Sequence, residues 1–150
     1  MNTQAKLIAI SVSPGGIPKL PVESVRVMTE HLEGDGRDHA KHNSPSRAVS
    51  LIDDEILADL RVEGYAVNPG SMGENLTVRG LNLQKLMPGT CLRFSGGVEI
   101  ELTEPRKPCF VLDAIDPKLK DVVVGRCGYM ASVVREGVLR TGEAIEVISA

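Results

Sequence analysis

Tryptophan is absent from the 150 residues, and only two tyrosines and two phenylalanines occur. Single-stranded nucleic acid stacks its bases on aromatic platforms, and here there is almost nothing to build them from. The core has to be aliphatic. Cysteine is scarce as well. Cys91, Cys109 and Cys127 are an odd number at wide spacing with no C-x-x-C pair, which excludes a disulfide framework and a structural zinc site of the Cys/His type. Seventeen basic and 20 acidic residues leave a net charge of −3, so no surplus of cations exists for non-specific attraction to nucleic acid or an anionic membrane. Any anion site must be local. No stretch approaches the roughly 20 apolar residues of a membrane span, and "KLIAISV" near the start is cut off by "SPGG" too early for a secretory signal. These absences predict a soluble, cytoplasmic protein without nucleic acid or membrane as partner, and the length predicts one domain over residues 1–150.

Short apolar runs of period two fill the chain. In "VEIELTE", Val98, Ile100 and Leu102 alternate with Glu99, Glu101 and Thr103, the pattern of a strand with one buried face. "EAIEVIS" repeats it. "KLIAISV", "SVRV", "AVSLI", "NLTVRG", "CLRF" and "YMASVV" read as further strands between Gly- and Pro-bearing turns. Seven or eight short strands predict a mainly β fold, a sandwich or a closed barrel. One main helix is marked over residues 54–63: Asp53 as its N-cap, Ile56, Leu57 and Leu60 on one face, Arg61 in the last turn and Gly64 to end it. A shorter helix is expected after Pro108, in "CFVLDAI".

Three stretches hold residues suited to chemistry. Residues 33–49, "EGDGRDHAKHNSPSRAV", form a long polar loop with Arg37, Lys41 and Arg47 as cations; His39 and His42, with Asp35 and Asp38, offer a divalent metal some ligands but no fourth of matching spacing. A solvated surface loop is the alternative. "GSMGENLTVRGL" starts at Gly70; its glycines allow close backbone approach, and Glu74 and Asn75 add an acceptor and a mixed donor and acceptor. It is not a P-loop, for no G-x-x-x-x-G-K-[ST] occurs, and it also reads as an ordinary strand-connecting turn. In "RKPCF", Pro108 suits the first turn of a helix, which would set Cys109 among unpaired N–H groups beside Arg106 and Lys107. That setting favours thiolate, the form that attacks sulfur or binds a soft metal. Free cysteine is also one of the most buried residue types, so a core thiol is the alternative. Cys91 lies in an ordinary strand pattern. Cys127, in "GRCG", is either a second thiol near Cys109 or a space-filler beside glycines.

"LEGDGRDHAKH" with "SRAVSL", then "GSMGENLTVRGL", "LTEPRKPC", "GRCGYMASVVREG" and "GEAIEV" together resemble the MOSC domain, named for the C-terminal domain of molybdenum cofactor sulfurases, over residues 31–148. The chain departs from many relatives in having His42-Asn43-Ser44 for His-Gly-Gly. The resemblance implies a MOSC-type β-barrel with one main helix and one or two short ones. It also implies that Cys109 matches the family's cysteine, which carries a persulfide sulfur or ligates the molybdenum of the pyranopterin cofactor. The domain occurs in cofactor sulfurases, in enzymes that reduce N-hydroxylated substrates, and as small stand-alone proteins; this chain looks like the last kind.

A pyranopterin bears a phosphate, a dithiolene and many ring heteroatoms, and calls for cations and close backbone N–H groups. The residues expected to hold it are Arg37, Lys41, His42, Arg47, Gly73, Glu74, Asn75, Arg106, Lys107 and Arg126, with Cys109 as catalytic residue and metal ligand. The molybdenum cofactor is then bound permanently or in transit. The implied activities are cofactor binding with sulfur carriage, sulfur carriage without metal, or molybdenum-dependent reduction of N-hydroxylated compounds. A cysteine desulfurase or an electron-transfer protein is the matching partner.

Overall fold

The computed structural model describes residues 4–13, 17–35, 45–108 and 110–149, with the backbone alone for Pro45, Phe110, Val111 and Ser149. In chain order the strands are β1 (Ala5–Val12), β2 (Leu20–Val22), β3 (Ser24–Val27), β4 (Val49–Asp53), β5 (Leu76–Arg79), β6 (Cys91–Phe94), β7 (Glu99–Pro105), β8 (Tyr129–Arg135), β9 (Gly137–Arg140) and β10 (Ala144–Ser149). Helix α1 (Asp54–Val62) follows β4, α2 (Leu119–Val122) precedes β8, and short 3-10 turns lie at Pro45–Arg47, Leu83–Lys85 and Phe110–Ala114.

The sheet runs β10-β6-β7-β8-β4-β5-β1-β2, and β1 also pairs with β10. That second pairing, Ala5 with Ile145 and Lys6 with Ala144, closes seven strands into a barrel and leaves β2 as an outer addition to β1. All ladders of the barrel are antiparallel except β4 with β5, whose connection runs through α1. β3 and β9 form a separate two-stranded ribbon. The alternation seen in "VEIELTE" holds: Val98, Ile100 and Leu102 are buried in the barrel core.

β4 is buried at all five positions because both its faces are covered. Leu51 belongs to the barrel core, while the next residue, Ile52, packs into a second cluster with Leu57 and Leu60 of α1, Met72, Leu112, Leu119 and Cys127. Helix α1 matches its expected span. It ends in a Schellman arrangement, with the Tyr65 N–H donating to Leu60 O and the Gly64 N–H to Arg61 O, both at 3.0 Å. The expected N-cap is corrected. Asp53 makes no side-chain cap bond to the helix, and its carboxylate accepts instead from the Leu83 N–H at 3.0 and 3.2 Å. A buried acceptor takes the donor the tertiary fold delivers, here the first residue of a 3-10 turn 30 positions on. The helix expected after Pro108 is a five-residue 3-10 turn from Phe110.

Gly128 shows how tightly β8 enters the barrel. It adopts φ +85°, and a β-carbon there would stand 1.8 Å from Leu51 O. Gly128→Ala should therefore cost about 3 kcal/mol or more in urea unfolding, since both the backbone conformation and the β4 contact must yield.

Candidate functional site

The loop that precedes β5 is shaped by its own turns. The Ser71 N–H donates to Asn68 O at 2.9 Å, the Asn68 N–H to Ser71 Oγ at 2.9 Å, and the Gly73 N–H to Gly70 O at 3.1 Å. Gly70 O also accepts from the Lys19 N–H at 2.9 Å, which ties the loop to the segment entering β2.

Asn75 joins this loop to three other parts of the chain, and it is 3 % exposed. Its backbone N–H donates to Ser50 O of β4 at 3.0 Å, and its carbonyl accepts from the Ser11 N–H of β1 at 2.7 Å. Its side-chain Nδ2 donates to Ser11 O at 3.2 Å and to Asp35 Oδ2 at 3.1 Å. Its Oδ1 accepts from the Ser50 N–H at 3.1 Å and from Ser50 Oγ at 3.3 Å. Both donors and both lone pairs of the amide are used. Asp35, buried in turn, accepts from the Ser13 N–H at 3.0 Å and pairs with Lys19 Nζ at 2.5 Å. Lys19, Ser11, Ser13 and Ser50 were not among the residues expected at the site. Their only sequence signal is that serines interrupt otherwise apolar strands, a pattern that calls for a buried polar partner.

Arg106, just after β7, reaches the same loop although β8 and β4 separate β7 from β5 in the sheet. Its backbone N–H donates to Gly128 O at 2.9 Å, and its guanidinium Nη2 donates to Met72 O. The fit depends on glycine: a β-carbon at Gly73, where φ is +88°, would lie 3.2 Å from Nη2. Nη1 is buried without a hydrogen-bond partner. Glu74 is 0 % exposed, and neither of its carboxylate oxygens finds a partner. Burial pushes its pKa up to about 6, against the opposing pull of the Arg106 charge and of the nearby Glu74, Met72 and Gly70 amides, which do not reach bonding geometry.

The other expected residues are distributed as follows. Arg47 pairs with Glu104 of β7 at 3.1 Å, two residues before Arg106. Lys107 is exposed. Arg126 forks onto Glu63 beyond α1, with Nη2 at 2.6 Å and Nη1 at 3.1 Å, and its hydrogen bonds and ion pair place it beside the helices, not at loop 70–75. Cys127 is 1 % exposed in the helical cluster, as the space-filling reading has it, and Cys91 is half-buried with Sγ 3.8 Å from Gly89 O. Arg37, Lys41, His42 and Cys109, with His39 and Asp38, lie outside the described residues. Among the described residues no three His, Cys, Asp or Glu side chains gather into a metal cluster, and no helix is long and apolar enough to cross a membrane.

Two measurements test this geometry. Asn75→Leu strips the buried partners of Asp35 and Ser50, and should lower stability by roughly 3 kcal/mol, far beyond an exposed Asn→Leu change. For Glu74, the folded-state pKa of about 6 stands above the ordinary 4.5, so its protonated form is the one the fold favours. That contribution is complete below pH 4.5 and is lost as pH rises through 6. Urea unfolding should show the protein gaining stability as pH falls from 7.5 to about 5, by up to about 2 kcal/mol from this group, and Glu74→Gln should remove that share of the gain. Asp53, also raised to about 6 by burial, acts in the same direction.

The MOSC domain model matches residues 38–146. The chain is 32% identical over 143 residues to the protein YflK of Bacillus subtilis, an alignment that takes in 89% of this chain and 63% of that one. It is 29% identical over 125 residues to a reductase of Gibberella moniliformis, covering 75% of this chain and only 22% of the reductase. Among solved structures, the YuaD protein of Bacillus subtilis superposes with a TM-score of 0.83 at 20% identity, over 99% of this chain and 97% of that one. YiiM of Geobacillus stearothermophilus superposes at 0.80 and 21% identity, over 97% and 75%. The family match spans most of the barrel and includes β4 to β9 and loop 70–75, so the chain belongs to the MOSC domain family.

Proposed function

We propose that this protein binds the molybdenum cofactor through the surface formed by loop 70–75 and Arg106, with Cys109 as the thiolate that ligates the metal or carries sulfur to it. The observation that supports this most is the meeting of two distant segments, "GSMGEN" and "EPRKPC", through the guanidinium of Arg106 on Met72 O and Gly73. The residues present suit the group. Arg106 keeps a buried, unsatisfied Nη1 donor, the glycines let a ligand approach the backbone closely, and Arg47 is held at the same end of β7 by Glu104. Arg106 would hold the phosphate end of the ligand and Lys107, exposed beside it, would neutralise the remaining charge. When bound, the molybdenum centre supplies two-electron redox or sulfur-transfer chemistry. The chain's own part is to anchor Arg106, three residues before Cys109 in the sequence.

The likeness to a reductase favours a second reading, in which the same site serves the reduction of N-hydroxylated compounds with electrons from a partner protein. Protein made in a host that synthesises the cofactor should contain molybdenum and show pterin fluorescence, and Cys109→Ser should remove the metal while leaving the unfolding midpoint unchanged. Incubation with a cysteine desulfurase should add one sulfur atom to Cys109 by mass spectrometry if the residue is a carrier. Neither metal nor added sulfur in the wild type would overturn the proposal. Metal together with turnover of an N-hydroxylated substrate, given an external electron donor, would select the second reading.

A further inference from the structure

Buried polar atoms without partners lie around one loop, among them both carboxylate oxygens of Glu74 and Nη1 of Arg106. Opposite charges this close in a protein interior ordinarily meet in an ion pair, because an unpaired buried charge is costly. Here they do not. The Arg106 charge acts on Glu74 through space, yet among the described residues no ion pair joins them, and Nη2 is spent on Met72 O. Arg106 is thus bonded to Met72 O and Gly128 O, with a nearby counterion that does not occupy its remaining donor.

From this arrangement we infer that Glu74 is an internal counterion that competes with an external anion for Arg106, so that an oxyanion such as sulfate or a phosphate group binds together with a proton taken up by Glu74. The inference rests on the reading of this loop as an anion-binding surface. Among the described residues, the charged side chains bonded to the loop or to Asn75's partners are Lys19 before β2, Asp35 after β3 and Arg106 after β7. Lys19 and Asp35 neutralise one another at 2.5 Å, so among the described residues Arg106 is the charge left to balance Glu74. When an anion takes the guanidinium, an ionised Glu74 would face it as a buried like charge, and protonation from solvent removes the conflict. Below pH 6 the carboxyl is already protonated and the competition is absent. Glu74 acts here as a positioning residue, holding Arg106 over Gly73 until the ligand arrives.

The test uses sulfate, which does not titrate in this range, and follows its affinity by calorimetry from pH 5 to 8 on wild-type protein and Glu74→Gln. Wild-type affinity should fall by about tenfold per pH unit above 6, with one proton taken up per sulfate bound, while Glu74→Gln should bind with an affinity that is flat across the range. A flat wild-type profile, the same slope in Glu74→Gln, or no sulfate binding to either protein overturns the inference. Should the variant fail to fold, carboxyl NMR on the wild type decides: sulfate must raise the Glu74 pKa, and an unmoved pKa overturns it. Because the probe needs no molybdenum, the outcome is separable from that for the proposed function. Metal-loaded protein with pH-independent sulfate binding would refute the counterion role alone, and proton-linked sulfate binding by protein that takes up neither metal nor sulfur would refute the cofactor reading alone.

Discussion

The side-chain amide of Asn75 is the contact on which the site end of this barrel depends. One residue, just before β5, reaches β1 through Ser11, β4 through Ser50 and the segment after β3 through Asp35. Parallel pairing of β4 with β5 leaves the start of β5 without a hairpin partner, because the chain arrives there from α1 and a long loop. The amide supplies the cross-links a hairpin would have made. Since every donor and acceptor on it is used inside a low-dielectric interior, its bonds are strong and a misplaced loop would leave several groups unpaired at once.

Around that fixed point the protein buries charge. Asp35 meets Lys19 directly and takes two further N–H donors, so its charge is fully compensated. Glu74, adjacent in sequence to Asn75, is buried without bonded partners and feels the field of Arg106 and of the nearby Glu74, Met72 and Gly70 amides. The contrast between two carboxylates on one small surface is informative. The first is structural, fixed by its bonds to Lys19, Ser13 and Asn75. The second acts on Arg106 through its field without a bond, an attraction a ligand can outcompete. A rigid frame carrying one loosely satisfied pair is an arrangement that suits binding better than stability.

Membership of the MOSC family concerns the barrel and its loops, while the two segments proposed to bind the cofactor are brought together by topology. "GSMGEN" enters β5 and "EPRKPC" leaves β7, and they meet because β4 and β8 lie between those strands and Gly128 lets β8 pass against Leu51. The second, helical core beneath β4 takes Met72 from the same loop, so the loop is anchored from below by apolar packing as well as from the side by Asn75.

Local pattern alone determined eight of the ten described strands, α1 and its end at Gly64, because a buried face imposes period two or 3.6 on any sequence that has to satisfy it, whereas the short β2 and β9 carry too little of that period. The glycines and Pro108 marked where the backbone turns, and the clustered motifs marked loop 70–75 and Arg106 as places of interest. Local pattern left both a sandwich and a closed barrel open, and only the family resemblance pointed to the barrel, since the pairing of Ala5 with Ile145 joins residues 140 positions apart and leaves no local trace. Partner choice was equally hidden. Asp53 has the sequence position of a helix cap but serves the Leu83 amide, and Arg126 has the composition of an anion ligand but is taken by Glu63. Polar side chains bond to whatever the fold sets within 3 Å, and that distance is decided by the packing of apolar strands, not by the neighbours of the polar residue in the chain.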